Sequence, residues 1–112
     1  MNTCKESNKH LMQGDQYNIP IEIILPTGPA NATSFENIEI QMGNIRKTLL
    51  DNEITYSEEK KAFLFPLKQK ETFRLKQGQV EVQVRVKLHS GEIIGTSAGY
   101  YNVEDAVSKT EI

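Results

Sequence analysis

The sequence predicts an all-β fold, a two-layer antiparallel sandwich of about seven strands with at most one short helical turn. Three observations carry the prediction. Apolar and polar residues alternate without interruption from Gln79 to His89. Clusters of turn-forming residues recur at short intervals along the chain. No long amphipathic helix is available to cover parallel crossovers, so an antiparallel sandwich is more economical than an α/β arrangement.

The elements follow in order. Residues 1–13 are polar, with Leu11 and Met12 as their only apolar anchors, and read as an N-terminal arm; the folded domain is expected over residues 14–103. The run YNIPIEIIL, Tyr17 to Leu25, is rich in β-branched residues. Pro20 has no N–H to give to a ladder, which places this strand at an edge or at a bulge. PTGPANATS, residues 26–34, is dense in turn formers and reads as a loop. Ile38, Ile40 and Met42 alternate with Asn37, Glu39 and Gln41 as a half-buried strand. Gly43–Asn44 marks a bend before Ile45–Leu50, and Asp51–Asn52 turns the chain into Glu53–Tyr56. A charged loop, Ser57 to Lys61, precedes the apolar strand Ala62–Phe65, which Pro66 is expected to end. Lys68 to Leu75 permits a short helical turn, and Gln77–Gly78 opens the strongest element.

In that element Val80, Val82, Val84, Val86 and Leu88 face one way while Glu81, Gln83, Arg85 and Lys87 face the other, because a strand reverses side-chain direction at every residue. At about 1.5–3 kcal/mol for each fully buried aliphatic side chain, the apolar face alone contributes on the order of 10 kcal/mol of gross burial. Ser90–Gly91 sets a tight hairpin into Glu92–Ile94. Gly95 and Gly99 predict a bulge before Tyr100–Val103, and residues 104–112 form a short polar tail.

Bulk properties narrow the functional classes. A chain of 112 residues fits one domain and buries enough surface to hold a core without staples. Its net charge of −2 disfavours general attraction to nucleic acid or an anionic membrane, although Arg74, Lys76, Arg85 and Lys87 could form a local basic cluster. One cysteine, Cys4, rules out an intrachain disulfide. MNTCKESNKH has no apolar h-region and no segment has the apolar length of a membrane helix, so the expected location is the cytoplasm or a particle assembled there.

No residue pattern carries catalysis or metal binding, and no cofactor is expected. His10, His89 and Cys4 have no ligand spacing and read as surface groups. No Gly-x-Ser-x-Gly elbow is present. Glu58–Glu59 with Asp15 supply the acids of a glycosidase pair only if the fold brings them together; carboxylates in a charged loop more often solvate it. Asn31–Ala32–Thr33 matches a glycosylation acceptor in a loop. The candidate interface residues are Tyr100, Tyr101, Arg85 and Lys87. Adjacent tyrosines in a strand point to opposite faces, leaving one exposed, and tyrosine offers a partner apolar area with a polar tip.

GDQYNIP (14–20), GNIRKTLLDNEITY (43–56), FLFPLKQKETFRLKQGQVEVQVRVKL (63–88) and GEIIGT (91–96) together resemble small immunoglobulin-like domains of phage and prophage tail modules from Gram-positive bacteria. The N-terminal domain of baseplate upper proteins is the nearest architectural comparison. The resemblance covers residues 14–103, and its motifs are structural. It implies an immunoglobulin-like sandwich and a non-enzymatic tail or baseplate protein. The implied partners are other phage tail or baseplate proteins, with a homo-oligomer allowed. The alternative is a carbohydrate- or peptide-binding β-sandwich module, against which the absence of tryptophan argues mildly.

Overall fold

The computed structural model describes residues 10–25, 28–31 and 33–106. Its elements are β1 (His10–Met12), β2 (Tyr17–Ile21), β3 (Ile24–Leu25), β4 (Gly28–Pro29), β5 (Asn37–Met42), β6 (Ile45–Thr48), β7 (Thr55–Ser57), β8 (Ala62–Leu67), α1 (Gln69–Phe73), β9 (Gly78–Lys87) and β10 (Ile93–Glu104). The valine-rich run forms β9, paired antiparallel with β5 on one side and β10 on the other. With the remaining partners this gives a five-stranded sheet in the order β1-β10-β9-β5-β6.

A second sheet, β2-β8-β7, packs over the first, and β3 and β4 form a separate two-stranded ribbon. The strand order reproduces an immunoglobulin-like sandwich. Counting strands as in that fold, β5, β9 and β10 take the C, F and G places, and β2, β8 and β7 take B, E and D. The apolar faces of both sheets meet in one core. Val80, Val82, Val84 and Val86 line it from β9, Ile38, Ile40 and Met42 from β5, and Phe63, Phe65 and Leu67 from β8. Phe63 contacts Tyr56 at 4.9 Å and Phe35 at 6.5 Å between ring centroids, in tilted geometries that suit the aromatic quadrupole.

Several expectations need correction. The strand count exceeds seven because β1 and β4 are short elements that residue pattern did not mark and β3 separates from the run that begins with β2. β1 lies within the expected arm and pairs parallel with β10, from His10 opposite Asn102 to Met12 opposite Glu104, so the sandwich is not wholly antiparallel. Its Leu11 is a buried core residue, so the folded unit reaches at least to His10. At the other end β10 runs through Glu104 and Ala106 is buried. The rest of the arm, residues 1–9, and of the tail, residues 107–112, lie outside the described residues.

The Tyr17–Leu25 run divides at Glu22–Ile23, and its second part pairs with Gly28–Pro29 inside the expected loop. Pro66 does not end β8, which continues to Leu67. Its neighbour β7 pairs only with Ala62–Leu64, so at Pro66 the strand has a partner on one side alone. A missing N–H facing away from that partner costs no ladder bond. Pro20 sits in β2 at a sheet edge, as expected.

The helical turn α1 closes one end of the sandwich. The Lys68 N–H donates to Glu71 Oε1 at 2.8 Å in a capping box. The same carboxylate receives the Lys47 ammonium at 3.0 Å, tying β6 to α1. The hydroxyl of buried Thr72 accepts the Gly14 N–H at 2.9 Å and donates to the Asp15 carbonyl at 2.8 Å. Gly14 has φ +89°, and a Cβ there would lie 2.7 Å from Phe73 Cζ, so both backbone and space select glycine.

Two outcomes follow from this packing. Phe65→Ala empties the centre of β8 and should cost about 3–5 kcal/mol in urea unfolding. Burial pushes the Glu71 carboxyl up, but the Lys68 N–H and the Lys47 ammonium outweigh it and hold the group below its ordinary range. With the folded value depressed, the linked stability is present above the unfolded value, about pH 4.3, and is lost as pH falls through the folded one. Glu71→Gln should therefore be less stable than wild type at neutral pH, and thermal melts across the acid range should show that gap closing.

Candidate interaction surface

The pairing register places the polar residues of β9 on the outer face of the large sheet. Reading across strands, Asn37, Lys87 and Ile93 form one row; Glu39, Arg85 and Gly95 the next; Gln41, Gln83 and Ser97 the third. Glu81 stands beside Tyr100 at the far end. Arg85 Nη1 lies 3.6 Å from Glu39 Oε1, and the same carboxylate takes Arg46 from β6. Such exposed pairs contribute little stability, but they fix the guanidinium groups over the sheet.

The candidate residues separate by face. Arg85, Lys87 and Tyr100 share the outer face, and Tyr100 is 53% exposed. Tyr101 turns to the core side, where burial pushes its phenol above the ordinary range. The bulge expected between Gly95 and Gly99 falls between Ser97 and Gly99. It inserts one residue and so reverses the face assignment of everything after it.

Residue pattern missed the exposed isoleucines of β10. Ile93 is 62% exposed on the outer face, and Ile94, its neighbour, is 52% exposed on the core-facing side beyond the reach of the small sheet. The available signal was the adjacent isoleucine pair itself, since a strand with one wet face should not be apolar on both. Along its outer edge β10 pairs with β1 from Asn102 to Glu104. The segment IIGTSAGYY contains no charged residue and no proline.

The remaining chemistry-bearing groups stay apart. Glu58 and Glu59 lie in the exposed turn before Ala62, whereas Asp15 precedes Tyr17, which pairs with Leu67 at the opposite end of β8. That separates them by about 16 Å along the strand, too far for a paired-acid mechanism. His10 Nδ1 lies 3.4 Å from Glu104 Oε2, and His89 Nε2 lies 3.1 Å from the Thr33 carbonyl at the other end of β10. Among the described residues no three His, Cys, Asp or Glu side chains group as metal ligands. Cys4 lies outside the described residues. Among them, no helix is long and apolar enough to cross a membrane.

A cleft of about 510 Å³ opens where the β5–β6 turn meets the segment after α1, lined by Gln41, Asn44, Arg74, Lys76, Gln79 and Glu81 among others. Arg74 and Lys76 thus gather there, apart from Arg85 and Lys87, so the four cations do not form one patch.

The tyrosine pair gives a direct check of the face assignment. Tyr100→Ala should leave unfolding stability within about 0.5 kcal/mol, as for other surface changes, and Tyr101→Ala should lower it by about 1–3 kcal/mol.

Comparison of the chain with protein-family models, with curated proteins and with solved structures finds no match.

Proposed function

We propose that this protein is a non-catalytic structural module that works through protein–protein contacts, and that its place is the tail or baseplate of a phage or prophage particle. The observation that supports the contact role is the exposed, uncharged first part of β10. Ile93, Ile94 and Tyr100 are each more than half exposed on a strand segment free of charge. The particle assignment rests on the resemblance of the four sequence segments to tail-module domains. Its partners are then other tail or baseplate proteins, met in the bacterial cytoplasm during assembly and held in the virion tail.

A carbohydrate-binding reading draws less support. The large cleft offers amides and two cations, but its lining contains no aromatic ring on which a sugar could stack.

Two measurements test the proposal. Genes for tail fibres, tape-measure and lysis proteins should flank this one; a neighbourhood of metabolic or transport genes overturns the particle assignment. The purified chain should bind a tail protein encoded in that neighbourhood by calorimetry, and Ile93→Lys with Tyr100→Ala should weaken binding at least about tenfold. Binding unchanged by both substitutions removes the β10 surface from the contact.

A further inference from the structure

Arg74 and Lys76 flank one apolar residue, and the fold fixes that residue firmly. The Leu75 side chain is buried. Its N–H donates to the Thr72 carbonyl at 3.2 Å, and its own carbonyl accepts the Gln13 side-chain amide at 2.8 Å. With Leu75 held through its side chain and both backbone groups, the exposed cations on either side of it both line the cleft of about 510 Å³ beside the β5–β6 turn.

That turn forms the facing wall. Gly43 has φ +59°, and a Cβ there would lie 3.3 Å from Val80 Cγ1 and 3.5 Å from Leu75 Cδ2. The turn backbone therefore sits directly against the residue that carries the two cations. The Gln41 side-chain amide donates to the Gly43 carbonyl at 2.9 Å, and Asn44 and Gln79 add two further carboxamides to the lining. Walls fixed in this way lower the ordering cost of binding.

The charges in the cleft do not satisfy one another. Arg46 and Arg85 share Glu39, and Lys47 holds Glu71, but among the described residues Arg74 and Lys76 have no ion-pair partner. Glu81 lines the same cleft and pairs with neither; its carboxylate accepts the Gln83 amide at 3.3 Å. The site thus presents two free cations and, apart from them, one acceptor. A carboxylate suits the cations, because a guanidinium can give it two parallel N–H bonds, and an N–H beside that carboxylate can reach Glu81. A phosphate dianion or a nucleic-acid backbone also suits the cations, but it meets Glu81 with like charge. The carboxamides both donate and accept, as the backbone of a bound peptide requires.

We propose that this cleft binds an acidic peptide segment of a partner protein, with an Asp or Glu carboxylate on Arg74 and Lys76 and a neighbouring backbone N–H on Glu81. Its volume lies within the range of about 300–1,000 Å³ usual for ligand sites, which gives room for a short segment rather than a lone ion. The site goes beyond the β10 contact and does not depend on it, since no residue of β10 is among those that line the cleft.

NMR titration of the isotope-labelled full chain with the acetylated, amidated peptide Gly-Asp-Glu-Gly tests the proposal, with Gly-Asn-Gln-Gly as its uncharged counterpart. The acidic peptide should shift the Asn44 and Gln79 side-chain amides saturably, with a Kd of about 1 mM or tighter that weakens as salt is added. Arg74→Gln/Lys76→Gln changes two exposed positions, so its melting temperature should match wild type while binding falls at least about tenfold. Arg85→Gln/Lys87→Gln removes two cations outside the cleft and should change binding by less than about twofold. No saturable shift up to about 10 mM peptide overturns the proposal. Equal binding of the uncharged peptide overturns it too, as does binding that Arg74→Gln/Lys76→Gln leaves unchanged. Inorganic phosphate or a single-stranded oligonucleotide that binds the same residues as tightly as the peptide also overturns it, and assigns the cleft to phosphate groups.

Discussion

The register of β9 is the constraint on which the rest of the structure depends. This strand is paired along both sides, and its valines enter the core while its polar residues remain outside. A slip of one residue against either neighbour would invert an entire face, exposing one set and burying the other. β9 therefore sets β5 and β10 at once. Ile40, Val84 and Thr96 fall in one row, and Met42, Val82 and Gly99 in the next. The outer rows containing Lys87, Arg85 and Gln83 are the obligatory counterpart of that core.

The two sheets are unequal, and the inequality shapes the surface. Phe63, Phe65 and Leu67 of the small sheet cover the middle of the large one, where Ile38, Ile40, Met42 and Val82 are buried. One end is sealed by polar contacts among Gly14, Asp15 and Thr72, by the Met12 N–H donated to the Tyr17 hydroxyl at 2.8 Å, and by the Gln13 amide donated to the Leu75 carbonyl. These satisfy backbone groups that an irregular connection would otherwise bury without partners. Among the described residues no comparable cover reaches the first part of β10, so Ile94 and Thr96 remain exposed although they point the same way as Val84 and Val86.

How much of this was legible in the sequence depends on whether a feature is local. The alternation at Val80–Val86, the Ser90–Gly91 hairpin, the bulge near Gly99, the helical turn before Leu75 and the opposed Tyr100–Tyr101 pair all follow from neighbouring residues, and all are found. β1 was not legible, because three residues of polar context become a strand only when β10 offers an edge. Pro66 misled for the same reason: whether a missing donor matters depends on which side of β8 has a partner. Of the interface candidates, strand parity put Arg85 and Lys87 on one face, but Tyr100 joins them only through the bulge. Ile93 and Ile94 escaped notice because their exposure reflects where the small sheet stops, which no local pattern encodes.

That exposure also discriminates among ways of covering the surface. Ile93 and Ile94 are consecutive, lie on opposite faces of one strand, and are each more than half exposed. A partner resting on the outer face can cover Ile93 and Tyr100 but leaves Ile94 in water. A partner entering the open side of the sandwich reaches Ile94 and misses Ile93. Only a strand added in the plane of the sheet brings side chains to both faces at once, because its own residues alternate in the same way. Apolar burial therefore favours a partner that reaches both faces of β10 over one that rests on a single face.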